Sequence, residues 1–161
     1  MKTKQVLRNF LIYIDKHSYI PFFHPFRMTK DEKKLFDDVI RNSKFYLEFG
    51  AGGSTFRSLR KSNAIVFSVD SSLEWIKLME EYVFIKRMQN KKRLKLIHVD
   101  IGKTGLWGHP LDAESKELFP SFSSKVFGML KQDVNLDTIL IDGRFRVACT
   151  LKAIIEYVLA P

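Results

Sequence analysis

A single cysteine, Cys149, stands in 161 residues, which excludes an internal disulfide and any cluster of thiolate metal ligands. Its neighbours are apolar, so it reads as a packing residue rather than a reactive thiol. No apolar run approaches the length of a membrane span, and the apolar stretch 6–14 is interrupted by Arg8 and Asn9. Neither a spanning helix nor a cleavable signal is expected, and the expected compartment is the cytoplasm. Internal repeats and low-complexity tracts are also missing, which removes solenoids and disordered linkers from consideration. Acidic residues are in short supply: 18 Asp and Glu face 27 Lys and Arg, a formal charge of +9. That balance favours an acidic partner such as a nucleic acid, an anionic lipid surface at which the chain is peripheral, or a phosphorylated or carboxylated substrate. The densest basic cluster is Lys91, Lys92, Arg93 and Lys95, and Lys2, Lys4, Arg8 and Lys16 decorate the amino terminus. Both read as solvated helix ends and loops.

What is present suits one globular domain, with 45% hydrophobic residues to build a core. Residues 1–28 are basic and aromatic, end in YIPFFHPFRM, and lack a clean period, so they are expected to form an arm or cap on a domain spanning 29–161. Thr29 with Glu32 fits a capping box, and Leu35, Phe36, Val39 and Ile40 mark one apolar face of a helix over about 30–42. Four short runs rich in β-formers follow, at 45–49, 65–69, 94–99 and 138–141. Helical patterns separate them: one from 55 to 60 and a little beyond, one long helix over 73–89 introduced by a Ser71/Glu74 capping box, and a last one over 145–159. This last helix carries Ala148, Leu151, Ile155 and Val158 on one face. The segment 102–134 is the least regular. Strands alternating with helices predict an α/β fold with a parallel sheet.

The stretch YLEFGAGGST puts Glu48 just ahead of Gly50, Gly52, Gly53 and Ser54. Glycines at a strand-to-helix turn let a ligand approach the start of the helix. Acidic residues also stand at or beside the carboxyl ends of all four strands: Glu48, Asp70, Asp100 and Asp142. In an open parallel sheet this is where a ligand lies. Asp70 follows Gly50 by the separation at which an acid reaches ribose hydroxyls, which implies a nucleoside. A carboxylate beside the glycines disfavours a pyrophosphate and favours S-adenosylmethionine, which carries an ammonium and a sulfonium and no phosphate.

With LEFGAGGST, SVD and ILIDGRFRVACTLKA in view, the chain from about Lys44 onward resembles the class I S-adenosylmethionine-dependent methyltransferases. It looks most like a small bacterial branch with LE-x-G-x-GGST and DGRFRVA signatures. The resemblance implies a Rossmann-like sheet in the order 3-2-1-4, short of the family's usual seven strands at the carboxyl end. It implies that Glu48, Gly50, Gly52, Gly53 and Ser54 surround the methionine end of the cofactor, that Asp70 holds the ribose, and that Asp100 lies near the adenine. Asp142 would face the transferred methyl as a general base, with His109 in GLWGHP as second candidate. Arg144 and Arg146 would hold an anionic acceptor, and Trp107 would cover the site. The Asn- or Asp-Pro-Pro-aromatic signature of base-amine methyltransferases is replaced by IDGR, and the ligands of metal-assisted catechol-type relatives have no counterpart, so no metal is expected. The expected acceptor is small or glycan-linked and acidic. Two alternatives stay open: a degenerate relative that binds the adenosyl ligand or scaffolds a partner without turnover, and a dinucleotide enzyme or basic nucleic-acid-binding module. The exposed edge expected of the fourth strand should be covered, by the aromatics around Phe22, Phe23 and Phe26 or by a second copy in a symmetric homodimer.

Overall fold

The computed structural model describes residues 2–22, 24–105, 108–112, 114–130 and 133–157. Four parallel strands, β1 (Phe45–Phe49), β2 (Ile65–Asp70), β3 (Leu94–His98) and β4 (Thr138–Ile141), form one sheet in the order β3-β2-β1-β4. This is the expected Rossmann-like α/β fold and strand order. β1 is central, and four of its five residues are buried, as a strand with covered faces requires.

The pleat divides the core into two layers. Tyr46, Val66 and Leu94 point toward one set of helices, with Phe36, Ile40, Phe56, Met79 and Ile85. Leu47, Phe49, Val69 and Ile97 point the other way, onto Phe122, Val126 and Cys149. The helices in chain order are α1 (Lys2–His17), α2 (Lys30–Arg41), α3 (Gly53–Lys61), α4 (Leu73–Glu80), α5 (Val83–Asn90), α6 (Phe119–Met129) and α7 (Arg146–Tyr157). Thr29 caps α2 by the expected box: its hydroxyl accepts from Glu32 N, and Glu32 accepts from Thr29 N at 2.7 Å.

Several expectations require correction. The amino-terminal arm is mostly a regular helix, α1, which rests on α5 with Asp15 buried. The long helix expected over 73–89 is two helices, because Tyr82 turns to an extended ψ of 127°. The break places the Tyr82 ring 5.0 Å from Phe56, so core packing overrides a continuous helical period. The cap of α4 is Ser72, which accepts from Trp75 N, rather than Ser71. Helix α6 lies inside the segment read as irregular, its Phe122 and Val126 buried under β1. On α7 the core face is Cys149 and Ala153, while Leu151 and Ile155 are exposed. Val158 lies outside the described residues.

The aromatic segment after α1 does not cover the outer edge of β4. Phe26 packs on Phe36, and Phe22 lies under the Arg60 guanidinium, both on the α2/α3 side; Phe23 lies outside the described residues. Among the described residues of this segment, Met28 lines the groove of about 280 Å³ that runs beside β4, with Leu35, Val39 and Ile139. Arg93 also departs from the solvated reading, since its guanidinium donates to the carbonyls of Ser62 and Ala64 and ties β3 to the end of α3.

Candidate active site at the strand ends

The glycine turn after β1 is held from below. Glu48 has no exposed surface, and it accepts from the Tyr46 hydroxyl at 2.9 Å and from the Thr55 hydroxyl. Thr55 Oγ1 in turn accepts from Gly52 N at 2.9 Å. A relay from carboxylate to hydroxyl to backbone amide therefore sets the position of Gly52. Burial pushes the Glu48 carboxyl above the usual glutamate range, opposed by hydrogen bonds from Ser54, Thr55, Ser68 and Tyr46. Glu48, expected from the sequence to meet a ligand's ammonium, is fully buried and has the Tyr46 and Thr55 hydroxyls as partners. Ser54, also buried, is part of the same support.

The glycines divide their tasks. Gly50 adopts φ +107° and packs against the loop after β4: a Cβ there would lie 2.9 Å from Gly143 Cα. Gly52 faces open space, with no atom within 4 Å of where a Cβ would stand. Gly53 faces the aromatic segment instead, since a Cβ would lie 2.3 Å from Pro25 O. It is a close-packing glycine, and of the three only Gly52 fronts a vacant volume.

Asp70, at the end of β2, joins two loops. Its Oδ2 accepts from Ala51 N at 3.0 Å and its Oδ1 from Ser72 N at 2.8 Å. Burial raises its pKa, against the pull of the backbone amides of Ser72, Ala51 and Ser71. Trp75, which the sequence reading passed over, sends its indole N–H to Ala51 O at 2.8 Å and so stands beside the glycine turn. Its only sequence signal is an aromatic residue at the start of the helix after the acid. Asp100 is exposed and accepts from Gly102 N at 2.9 Å, a turn contact.

Asp142 follows β4 and is exposed; its Oδ1 lies 2.7 Å from Arg146, which also donates to Asp142 O. Phe145, at φ +53°, turns the chain into α7 and seats its ring on Phe119 and Phe122. His109 is exposed in a small hairpin in which Gly105 N donates to His109 O. Gly108 of that hairpin touches both neighbouring loops, a Cβ there lying 2.9 Å from Ser71 Oγ and 3.9 Å from Arg144 Cγ. The structure thus gathers Gly50, Gly52, Asp70, Asp142, Arg144 and the His109 hairpin at one end of the sheet. Trp107 falls outside the described residues. No group of three or more potential metal ligands occurs among the described residues.

No protein-family model and no curated protein matches this chain. Among solved structures it is similar to a methyltransferase-like protein from Silicibacter pomeroyi, with a TM-score of 0.68 and 27% identity. The likeness covers 80% of this chain and 66% of that one, so it spans about two thirds of the longer protein.

Proposed function

We propose that this chain is an S-adenosylmethionine-dependent methyltransferase acting on a small or glycan-linked acidic acceptor. The observation that carries the reading is the pairing of Asp70 with the vacant space at Gly52, at the start of α3 and beside the Trp75 indole. Asp70 spends lone pairs on two loop amides and keeps others for a vicinal diol. Gly52 leaves room for a ligand against backbone N–H groups at the positive end of a helix. The likeness to a methyltransferase-like protein supports the same class.

S-adenosylmethionine, when bound, supplies an electrophilic methyl group on its sulfonium. The chain's own residues bind and orient: Asp70 the ribose hydroxyls, Gly52 the methionine end, Asp100 the adenine amino group, and Gly50 the approach of the loop after β4. Asp142 is the group to accept a proton from an alcohol or amine. Its pair with Arg146 is half-exposed on both sides, and such pairs hold by only about 0–1 kcal/mol, so an acceptor can open it. The freed guanidinium then binds an acceptor carboxylate or phosphate, with Arg144 nearby, while His109 stands as the alternative base.

The test is calorimetric titration with S-adenosylhomocysteine, with NADH and an oligonucleotide as controls. Binding of the thioether alone is expected, with a melting shift equivalent to about 2.7 kcal/mol at a hundred times its Kd. Tight NADH binding with no response to the adenosyl thioether overturns the assignment.

A further inference from the structure

Helix α1 turns its apolar side away from the protein. Val6, Phe10, Tyr13, Leu7 and Ile14 recur at helical spacing on one arc, and they are 67%, 57%, 61%, 57% and 36% exposed. The opposite arc, with Leu11, Ile12 and the buried Asp15, is the one that meets the domain. An ordinary surface helix is built the other way round.

The apolar surface continues beyond the helix. Asp15 Oδ1 accepts from Phe22 N at 2.8 Å, which folds the chain back and leaves Tyr19, Ile20 and Phe22 exposed beside α1. Two of these rings sit under cations: Arg87 of α5 lies 5.5 Å from the Tyr19 ring, and Arg60 of α3 lies 4.8 Å from the Phe22 ring. Eight large apolar side chains between Val6 and Phe22 therefore face water, with Arg60 and Arg87 against two of their rings. In the helix sequence four Lys and Arg residues accompany one acid, the buried Asp15, and of these Lys16 pairs with Glu81.

We propose that this face is a docking surface for an anionic lipid bilayer, with α1 lying in the plane of the interface. Exposed aliphatic and aromatic side chains on one arc and arginines at its margins are the makeup of an interfacial helix. The apolar arc inserts among the acyl chains, the Tyr19 and Phe22 rings sit at headgroup level, and the guanidiniums above them meet lipid phosphates. Charge selects this occupant over a second copy, because self-association through the face would bring two chains of +9 together at their basic surface. The face also lies away from the candidate active site: Arg60 is in the last turn of α3, whose first turn holds the glycines. The proposal is independent of the methyl-transfer reading.

The experiment is vesicle flotation of the full chain with phosphatidylcholine alone and with one third phosphatidylglycerol, at low and high salt. Partition into the anionic vesicles is expected to exceed that into neutral ones by about tenfold and to fall with salt. Val6→Ser combined with Phe10→Ser should reduce it about tenfold at an unchanged melting temperature, both side chains being exposed. Phe10→Trp supplies a second readout, a blue shift and quenching by brominated lipid in excess of what Trp75 and Trp107 give in the parent. Absence of partition into anionic vesicles overturns the proposal, as does partition that ignores the Val6 and Phe10 substitutions. A concentration-dependent dimer broken by those substitutions also overturns it, in favour of self-association.

Discussion

Gly52 and Gly53 are adjacent in sequence and should respond to the same substitution in opposite ways. A methyl at Gly53 would stand 2.3 Å from Pro25 O and 2.8 Å from Phe26 Cα, both backbone atoms that cannot rotate aside. The segment carrying His24 and Phe26 must therefore lift, loosening the His24 stack on Phe56 and the Phe26 contact with Phe36. Backbone contacts this close put the cost of overpacking at the upper end of about 1–3 kcal/mol, and an offset of up to about 1 kcal/mol from the better helix propensity of alanine leaves a net loss of about 2 kcal/mol. For a chain of this size that lowers Tm by roughly 4–8 °C. The same methyl at Gly52 meets nothing within 4 Å, so Gly52→Ala should melt with the parent. Its effect should appear instead in calorimetry, as weakened binding of S-adenosylhomocysteine, and Gly52→Val should abolish binding. Differential scanning calorimetry of both variants, with hydrogen exchange at residues 24–26, checks the argument. A Gly53→Ala protein that melts with the parent would refute it, and so would a Gly52→Ala protein that is the less stable of the two.

Three further outcomes are expected. Asp142→Asn should lower methyl transfer by orders of magnitude and leave adenosyl-ligand affinity within a few fold, as single-turnover kinetics and calorimetry would reveal; parental turnover would move the base to His109. His24 has no partner for Nδ1, and burial lowers its pKa from 6.5 to about 4, so the unfolded chain binds the proton first as pH falls. Stability should be full above pH 6.5 and drain away toward pH 4, and urea denaturation across that window should show His24→Phe free of the loss. For Glu48 the sign is reversed: a raised folded pKa contributes stability present below the unfolded value of 4.5 and lost as pH rises through the folded one. Glu48→Gln should therefore gain on the parent as pH climbs from 4.5 toward neutrality, and a pH-independent difference between the two would contradict a raised carboxyl.

The strands and the acid-and-glycine punctuation of their ends were legible from the chain because each is a local pattern, and their alternation with helices implied a parallel sheet, while the strand order came only from the resemblance to the methyltransferases. A buried strand needs a short run such as FYLEF, a tight turn needs Gly50, and the capping box of α2 needs only Thr29 and Glu32. What escaped depends on which surface meets which. Nothing local separates Gly52 from Gly53, yet one faces open space and the other a backbone carbonyl far away in sequence. Nothing local shows that the Glu48 carboxyl is buried beneath the turn with the Tyr46 and Thr55 hydroxyls as its partners. Tyr82 breaks a helix that its own neighbours would continue, because Phe56 and His24 stand across from it. Residues 1–28 show no clean period as a sequence, and only docking of α1 through Asp15, Leu11 and Ile12 decides that Val6, Phe10 and Tyr13 face out. Periodicity specifies a face and propensity specifies an element, both within a few residues of chain. The direction a face points is fixed by contacts between residues distant in sequence, and those exist only once the chain has folded.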